Sequence, residues 1–210
     1  TNTDKRHFID MMAANNYGVI TMDAEDVTQQ MDLNNSGEIE YDYRPDTLLN
    51  LDLLNVKIVK QYFIDRNAFD AQTPHVSCGF SSGGGFAEIL AAVYNWRASL
   101  SHNTPGIGVV ADTSIIPHYQ NNSQNDNGPN VGTSGNMNAY DNYLSYQDRN
   151  VCSKWILQKP QPLHPERFDR IEGITVTQSR EIFYFMKQAN LLDDKNYLII
   201  PPSYIENQYE

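Results

Sequence analysis

Apolar residues occur along the chain as short continuous runs, and these alternate with longer runs at helical spacing. The continuous runs at residues 17–22, 76–80 and 106–111 predict β-strands, because a strand covered on both faces is apolar throughout. A weaker alternating segment from Tyr143 to Gln147 predicts a fourth strand. Helical spacing predicts four helices, over residues 4–15, 46–67, 84–97 and 177–191, the last capped by Thr177.

Alternation of strands and helices predicts an α/β fold with a doubly wound, mostly parallel sheet. We expect residues 1–210 to form a single domain around this sheet. Residues 31–43 form a polar insertion, and residues 114–140, rich in Asn, Gly and Ser, predict a long mobile loop. Residues 152–195 are predicted to form a lid-like or cap segment.

Composition and charge narrow the classes of function. Hydrophobic residues make up 40% of the 210 residues and charged residues 20%, which is typical of a globular chain. The net charge of −11 argues against nucleic-acid binding, because surfaces that bind phosphate backbones are basic. No apolar run approaches the roughly 20 residues of a membrane span. The two cysteines do not form the C-x-x-C pair of a zinc or redox site.

The most specific chemical signal follows the strand at 76–80. Gly79-Phe80-Ser81-Ser82-Gly83 has the pattern G-x-S-x-G, between a predicted strand and a predicted helix. A serine on such a tight turn exposes its hydroxyl and needs small neighbours two residues away on each side. We therefore expect Ser81 to be a nucleophile, with the Ser82 amide stabilising an oxyanion at the helix N-terminus. The alternative is a glycine-rich turn without chemistry.

Together these segments resemble the α/β-hydrolase fold, in particular serine hydrolases of the esterase and depolymerase kind. The segments that carry the resemblance are residues 17–26, 50–56, 79–87, the strand ending at Asp112, 162–171 and 179–193. The resemblance implies cleavage of an ester or related acyl bond in a small acyl or polyester-type substrate, with no cofactor needed for catalysis. In this family the order along the chain is nucleophile, acid, histidine.

That order implies Asp148 as the acid, with Asp112 as the alternative, and His164 as the base because it follows Asp148. The family's first strands and final strand are not recognised here, so the resemblance implies a partial chain. An exposed sheet edge would then need a companion chain or segment to cover it. The competing hypothesis is a non-catalytic hydrolase-like domain that serves as a binding or structural part of a larger assembly.

A second motif predicts a structural calcium site. In residues 32–43 the oxygen ligands of an EF-hand loop would be Asp32, Asn34, Ser36, Glu38 through its carbonyl, and Glu40. Gly37 stands where the loop turns sharply, and Tyr43 replaces the glutamate of position twelve. Two Asn-x-Ser triplets, beginning at Asn34 and Asn121, are the sequence features that favour a secreted or extracytoplasmic protein.

Overall fold

The structure is a computed structural model that describes residues 2–125 and 132–199. The chain forms two compact units. One unit comprises residues 22–159, and the other comprises the described residues up to Thr21 and from Pro160 onward. No helix in the described ranges is long and apolar enough to cross a membrane.

The larger unit contains a four-stranded sheet in which all strands are parallel and the spatial order is the same as the order along the chain. The strands are β1 (Val76–Phe80), β2 (Ala98–His102), β3 (His118–Ser123) and β4 (Ser153–Gln158). The helices of the described chain are α1 (Asn2–Ala14), α2 (Glu25–Gln29), α3 (Leu51–Asp65), α4 (Ser82–Tyr94), α5 (Gly108–Thr113), α6 (Gly132–Asp148) and α7 (Val176–Gln188). The predicted α/β class is confirmed.

Helix α4 packs against β1 and β2, and α6 packs against β3 and β4. Both helices cover the same face of the sheet, because Ser101 of β2 donates a hydrogen bond to the Gly84 carbonyl and His118 of β3 stacks on Tyr146 of α6. Helix α3 then covers α4, burying Leu53 and Val56 in one apolar cluster with α4 residues. The helices of this unit that contact the sheet thus lie on one face.

The helix-covered face of the sheet is polar rather than apolar. Its buried side chains include Ser77, Ser99, Ser101, His118, Gln120 and Asn122. Each needs a partner because an unpaired buried polar group is costly. The Ser77 hydroxyl donates to the Ala87 carbonyl over 2.6 Å, and the Gln120 and Asn122 amides donate to the Thr104 carbonyl over 2.6 and 2.7 Å.

Three of the four predicted strands are wrong, because short apolar runs do not distinguish a strand from a buried helical turn. Residues 106–111 lead into α5, where Val110 and Ala111 are buried and Val109 is exposed. Tyr143 to Gln147 lie inside α6, and residues 17–22 are not in a strand. Thr175 rather than Thr177 caps α7, in a capping box with Gln178.

The predicted long loop and lid also need correction. Strand β3 and the first half of α6 lie within residues 114–140, while residues 126–131 are outside the described ranges. Strand β4 occupies the start of the predicted lid, at residues 153–158, and belongs to the sheet. Strands β2 and β3 show no hydrophobic periodicity in the sequence, because the side chains at their buried positions are polar.

Candidate functional site

Ser81 stands at the junction of β1 and α4 in a backbone conformation that non-glycine residues rarely adopt. Its φ is 54° and its ψ is −125°, and the side chain is exposed. The two helix C-cap residues Gln30 and Asn95 also have positive φ, but their ψ values of 39° and 48° belong to the ordinary left-handed region. A residue held outside these regions costs about 1–3 kcal/mol of strain.

Hydrogen bonds on both sides of Ser81 hold this conformation. Its amide donates to the His102 carbonyl at the end of β2 over 2.8 Å, and its carbonyl accepts from the Gly84 amide over 2.9 Å. Among the described residues, none accepts a hydrogen bond from the amides of Ser82 or Gly83. These two amides therefore remain available at the N-terminus of α4, where the helix dipole favours negative charge.

The glycines around Ser81 are required by a close backbone approach. A Cβ atom at Gly79 would lie 1.9 Å from the carbonyl oxygen of Gly83, and one at Gly84 would lie 3.2 Å from the carbonyl oxygen of Gly79. The end of β1 and the first turn of α4 are thus in direct contact. This agrees with the expectation that a tight strand-to-helix turn needs small residues two positions away from its serine.

His102, which comes before both predicted acids in the chain, is the histidine that the sheet brings near Ser81. It is the last residue of β2, paired in register with Phe80, and its ring Nδ1 lies 3.4 Å from the Asn121 amide nitrogen. Partial burial lowers the pKa of His102, so the imidazole is neutral and able to accept a proton at neutral pH. The hydrophobic pattern missed β2, and only its parallel pairing with β1 shows that His102 lies beside the end of β1.

The structure does not bring either predicted acid to Ser81. Asp148 is the exposed last residue of α6, which leads into the amino end of β4. Asp112 lies in α5, which leads into β3, and its carboxylate accepts a hydrogen bond from the Ser145 hydroxyl over 2.7 Å. Ser81 follows the carboxyl end of β1, on the opposite edge of a parallel sheet whose strands of five or six residues span roughly 16–20 Å. Strands were also expected directly before both aspartates, and those segments are helices.

His164, the predicted base, belongs to the smaller unit. Its side chain is 62% exposed, and its Nδ1 lies 3.7 Å from a carboxylate oxygen of Glu166. Glu166 also pairs with Arg180 at 2.8 Å, and this guanidinium lowers the pKa of Glu166. The Ser179 hydroxyl fixes the same segment, because it donates to the Pro165 carbonyl and accepts from the Phe168 amide. His164 is therefore an accessible imidazole with a carboxylate beside it.

A cavity of about 470 Å³ opens between β4 and the start of α6. The buried indole N–H of Trp155 has no hydrogen-bond partner in the described part of the chain, and the Trp155 ring lies 5.1 Å from that of Tyr140. The cavity is at the carboxyl edge of the sheet, as Ser81 is, and three strand spacings of ~4.8 Å separate β4 from β1. The lining residues are Gln124, Asn125, Thr133, Asn136, Met137, Tyr140, Asp141, Trp155 and Leu157.

The acidic loop forms a tight turn closed by its own side chains. The Asp32 carboxylate accepts from the amides of Ser36 and Gly37 over 3.0 and 2.8 Å, and the Ser36 hydroxyl donates to the Glu38 carbonyl. Gly37 has a φ of 94°, which suits the glycine predicted there. Within the described residues no three Asp, Glu, His or Cys side chains are grouped to hold a metal. Calcium binding through this loop stays a prediction.

Calcium titration tests that prediction. If Asp32, Asn34, Ser36 and Glu40 bind Ca²⁺, the folded protein is stabilised by about 2.7 kcal/mol at roughly 100 times the dissociation constant. Thermal unfolding followed by circular dichroism would then show a higher midpoint in millimolar calcium, and Asp32→Ala would remove the increase. A midpoint that does not move in calcium contradicts the prediction.

Comparison with known proteins does not identify the chain. No protein-family model matches the sequence, and no similar curated protein or solved structure was found.

Proposed function

We propose that this chain is the hydrolytic part of a serine hydrolase that cleaves an ester or related acyl bond, with Ser81 as the nucleophile. The observation that carries the proposal is the backbone of Ser81, with φ 54° and ψ −125°, together with its exposed side chain at the end of β1. Strain of this kind persists where the surrounding structure enforces it, and it is concentrated at functional sites. A turn without chemistry has no need for a serine here.

The chemistry follows from what surrounds the hydroxyl. Ser81 Oγ attacks the carbonyl carbon of the substrate while a histidine accepts its proton. The carbonyl oxygen becomes an oxyanion, which the free Ser82 amide at the N-terminus of α4 can stabilise. The histidine then protonates the leaving alcohol, and water hydrolyses the acyl-enzyme in the second half of the reaction.

The base in this proposal is His164, which follows Ser81 in the order of the resembling family, and its exposed ring supports that role. His102 is the alternative, because it ends the strand next to β1. His164→Gln and His102→Gln decide between the two histidines, because the variant that lacks the base should show slower covalent labelling of Ser81.

The acid is sought with Asn variants of Asp112, Asp148 and Asp126. Asp126 follows β3 in sequence and lies outside the described residues.

Several finer features extend this proposal. We infer a hydrolase-type sheet in which another segment or chain pairs with β1, which is an edge strand among the described residues. The His75 carbonyl and the Ser81 amide form hydrogen bonds with residues 97 and 102, on the side of β2. The backbone groups of the alternate residues Val76, Cys78 and Phe80 therefore point toward the free edge of β1. Val76 is 47% and Phe80 65% exposed, and uncovered apolar edges invite pairing. The cavity beside Trp155 is suited to hold part of a small acyl or polyester-type substrate.

A second candidate function is a non-catalytic hydrolase-like domain with a binding or structural role. The observation that favours it is that Asp148 and Asp112, the two predicted acids, are on the sheet edge opposite Ser81. Without an orienting carboxylate, a histidine is a poorer base. Covalent labelling of Ser81 distinguishes the two functions, because a domain without an activated serine does not react.

We expect a fluorophosphonate probe to label the wild-type protein at Ser81 and to leave Ser81→Ala unlabelled, because the probe reacts only with an activated hydroxyl. Mass spectrometry of the labelled peptide locates the adduct. Ser123→Ala is a matched control, since that serine ends β3 on the same edge of the sheet and should not change the labelling. Equal labelling of wild type and Ser81→Ala would contradict the proposal.

Ser81→Gly tests whether the backbone of Ser81 is strained and whether that strain serves to present the hydroxyl. Glycine adopts positive φ without the steric cost, so we expect the free energy of unfolding to rise by about 1 kcal/mol while labelling is lost. Ser81→Ala keeps the strain and should leave stability nearly unchanged. Urea unfolding of both variants gives the comparison, and a glycine variant less stable than the alanine variant would show that Ser81 is not strained.

A further inference from the structure

The cavity beside Trp155 is enclosed by one face of α6 and one face of β4, both in the larger unit. Met137 and Tyr140 are one turn apart on α6, and Trp155 and Leu157 are alternate residues of β4. Trp155 pairs in register with Gln120, whose side chain lies on the helix-covered face, so Trp155 and Leu157 lie on that face as well. The volume of about 470 Å³ is typical of a small-molecule pocket.

Two aromatic rings form an apolar wall of this cavity. The ring centroids of Trp155 and Tyr140 are 5.1 Å apart, and the ring planes are inclined by 55°. The Asn136 side chain holds the helix beside these rings, because its amide donates to the Ser123 carbonyl at the end of β3 over 3.1 Å. The faces of aromatic rings carry partial negative charge and attract the C–H groups of a ligand. A ligand that fits this wall therefore presents a face of C–H groups.

Two polar groups of the cavity are complementary in their hydrogen-bonding capacity. The buried indole N–H of Trp155 has no hydrogen-bond partner in the described ranges, and an indole can only donate. Asp141 is exposed, and its carboxylate forms no hydrogen bond or ion pair with another described residue. An ionised carboxylate can only accept. The ligand that satisfies both groups must accept at one position and donate at another, as hydroxyl groups do.

These requirements exclude other classes of ligand. Among the described residues that line the cavity there is no Lys, Arg or His to bind an anion, and Asp141 would repel one. An alkyl chain would leave the indole N–H of Trp155 unpaired. A polyester offers acceptors only, so nothing in it donates to Asp141. A quaternary ammonium group suits aromatic rings and a carboxylate but provides no acceptor for the indole.

We propose that the cavity beside Trp155 binds a sugar ring. The C–H face of the ring packs on Trp155 and Tyr140, and its hydroxyl groups accept from the indole N–H and donate to Asp141. Ser81 lies on the same edge of the sheet, about 14 Å away along three strand spacings, which is longer than one sugar ring. The alcohol part of the ester is then an oligosaccharide, and this extension rests on the proposed hydrolase function.

Titration with defined sugars tests the binding site. The chain has two tryptophans, so Trp96→Phe leaves Trp155 as the only source of indole fluorescence. We expect a saturable change in this fluorescence with xylohexaose, cellohexaose or mannohexaose, at a dissociation constant of about 1 mM or tighter. A linear 3-hydroxybutyrate trimer and tetramethylammonium chloride are the counter-probes and should not bind. Absence of saturable binding for all three sugars, with or without binding of a counter-probe, overturns the proposal.

Variants measured by calorimetry locate the bound sugar. Tyr140→Ala removes one ring of the wall and should weaken binding about 10-fold. Trp155→Phe keeps a ring but lacks the N–H, so we expect binding about 3- to 10-fold weaker. Tyr184→Ala is the matched control, because it removes a tyrosine that is 55% exposed on α7 in the smaller unit, and it should bind as the wild type does.

The variants also provide outcomes that contradict the site. Wild-type affinity in both Tyr140→Ala and Trp155→Phe would place the sugar elsewhere and overturn the proposal. If Tyr140→Ala fails to fold, Trp155→Phe decides alone. Asp141→Asn keeps an acceptor for a hydroxyl group and should change sugar affinity by less than about 3-fold.

Protection of Ser81 separates the binding site from the proposed function. At roughly ten times its dissociation constant, the hexasaccharide should slow fluorophosphonate labelling about 10-fold, because it reaches from the cavity to Ser81. The methyl glycoside of the same sugar fills the cavity without reaching Ser81 and should not slow labelling. Labelling that the bound hexasaccharide leaves unchanged overturns the oligosaccharide ester. A wild-type protein that is not labelled overturns the hydrolase function, whereas the titration alone decides the sugar site.

Discussion

Gly79→Ala is expected to lower the free energy of unfolding by about 3–5 kcal/mol and to abolish labelling of Ser81. The new Cβ atom would lie 1.9 Å from the Gly83 carbonyl oxygen and 2.1 Å from its carbonyl carbon. Both are backbone atoms, so no side chain can rotate away. The end of β1 and the start of α4 would have to separate, and the Ser81 conformation depends on their contact.

Thermal and urea unfolding measure the loss, which for a chain of this size lowers the melting temperature by about 10 °C. Gly18→Ala is the matched control, because no atom lies within 4 Å of a Cβ built there and its φ is unstrained. That variant should stay within about 0.5 kcal/mol of the wild type. A Gly79→Ala protein with wild-type stability and labelling would mean that the close approach at the turn is not present.

Glu88→Ala is expected to destabilise the protein by about 3–5 kcal/mol, because it removes the centre of a buried polar cluster. Glu88 is 2% exposed on α4. Its carboxylate accepts from the Ser101 hydroxyl over 3.0 Å and from the Ile107 amide over 2.8 Å. His118 Nε2 lies 3.2 Å away, and the His118 Nδ1 is 2.8 Å from the Ser99 hydroxyl. Alanine would leave the Ile107 amide without its acceptor and the buried His118 Nε2 without the carboxylate beside it.

Urea unfolding at low and high salt measures this effect. Salt screens the charges of a buried cluster poorly. We therefore expect the lower free energy of unfolding of Glu88→Ala to persist in about 1 M NaCl, where exposed ion pairs contribute little. Glu38→Ala is the control for loss of a carboxylate from the same unit, since Glu38 is exposed, and it should change stability by less than about 0.5 kcal/mol. A loss below about 1 kcal/mol for Glu88→Ala would contradict the role of the cluster.

The sequence pattern correctly predicted β1, the turn at Ser81, α4 and α7, because these elements depend on residues close together in the chain. Residues 76–80 are apolar enough to be recognised as a strand, and Phe86, Ile89 and Leu90 have the helical spacing that predicted α4. The G-x-S-x-G pattern between them predicted the turn at Ser81, because the glycines are required by contacts within a few residues. The helix at α7 was recognised for the same reason, although its cap is two residues earlier.

Strands β2 and β3 were missed because their buried side chains satisfy partners distant in sequence. Gln120 and Asn122 are 1% exposed, and both donate to the carbonyl of Thr104. Hydrophobic periodicity treats amides as surface residues, since it takes no account of a hydrogen-bond acceptor brought by another segment. The same limit of the pattern affected the predicted acids, because strands were expected directly before Asp112 and Asp148 and the chain forms helices there.

The amino-acid sequence by itself determined the α/β character of this protein and the strand–serine–helix turn, since these depend on apolar runs and on glycines next to Ser81. Only the tertiary structure decided which groups surround that serine. Parallel pairing placed His102 beside it and moved Asp148 to the far edge, and packing of residues 40–44 on α4 placed Tyr43 against Gly85. These contacts join residues far apart in the chain, so they arise from the packing of the whole unit and not from any local pattern.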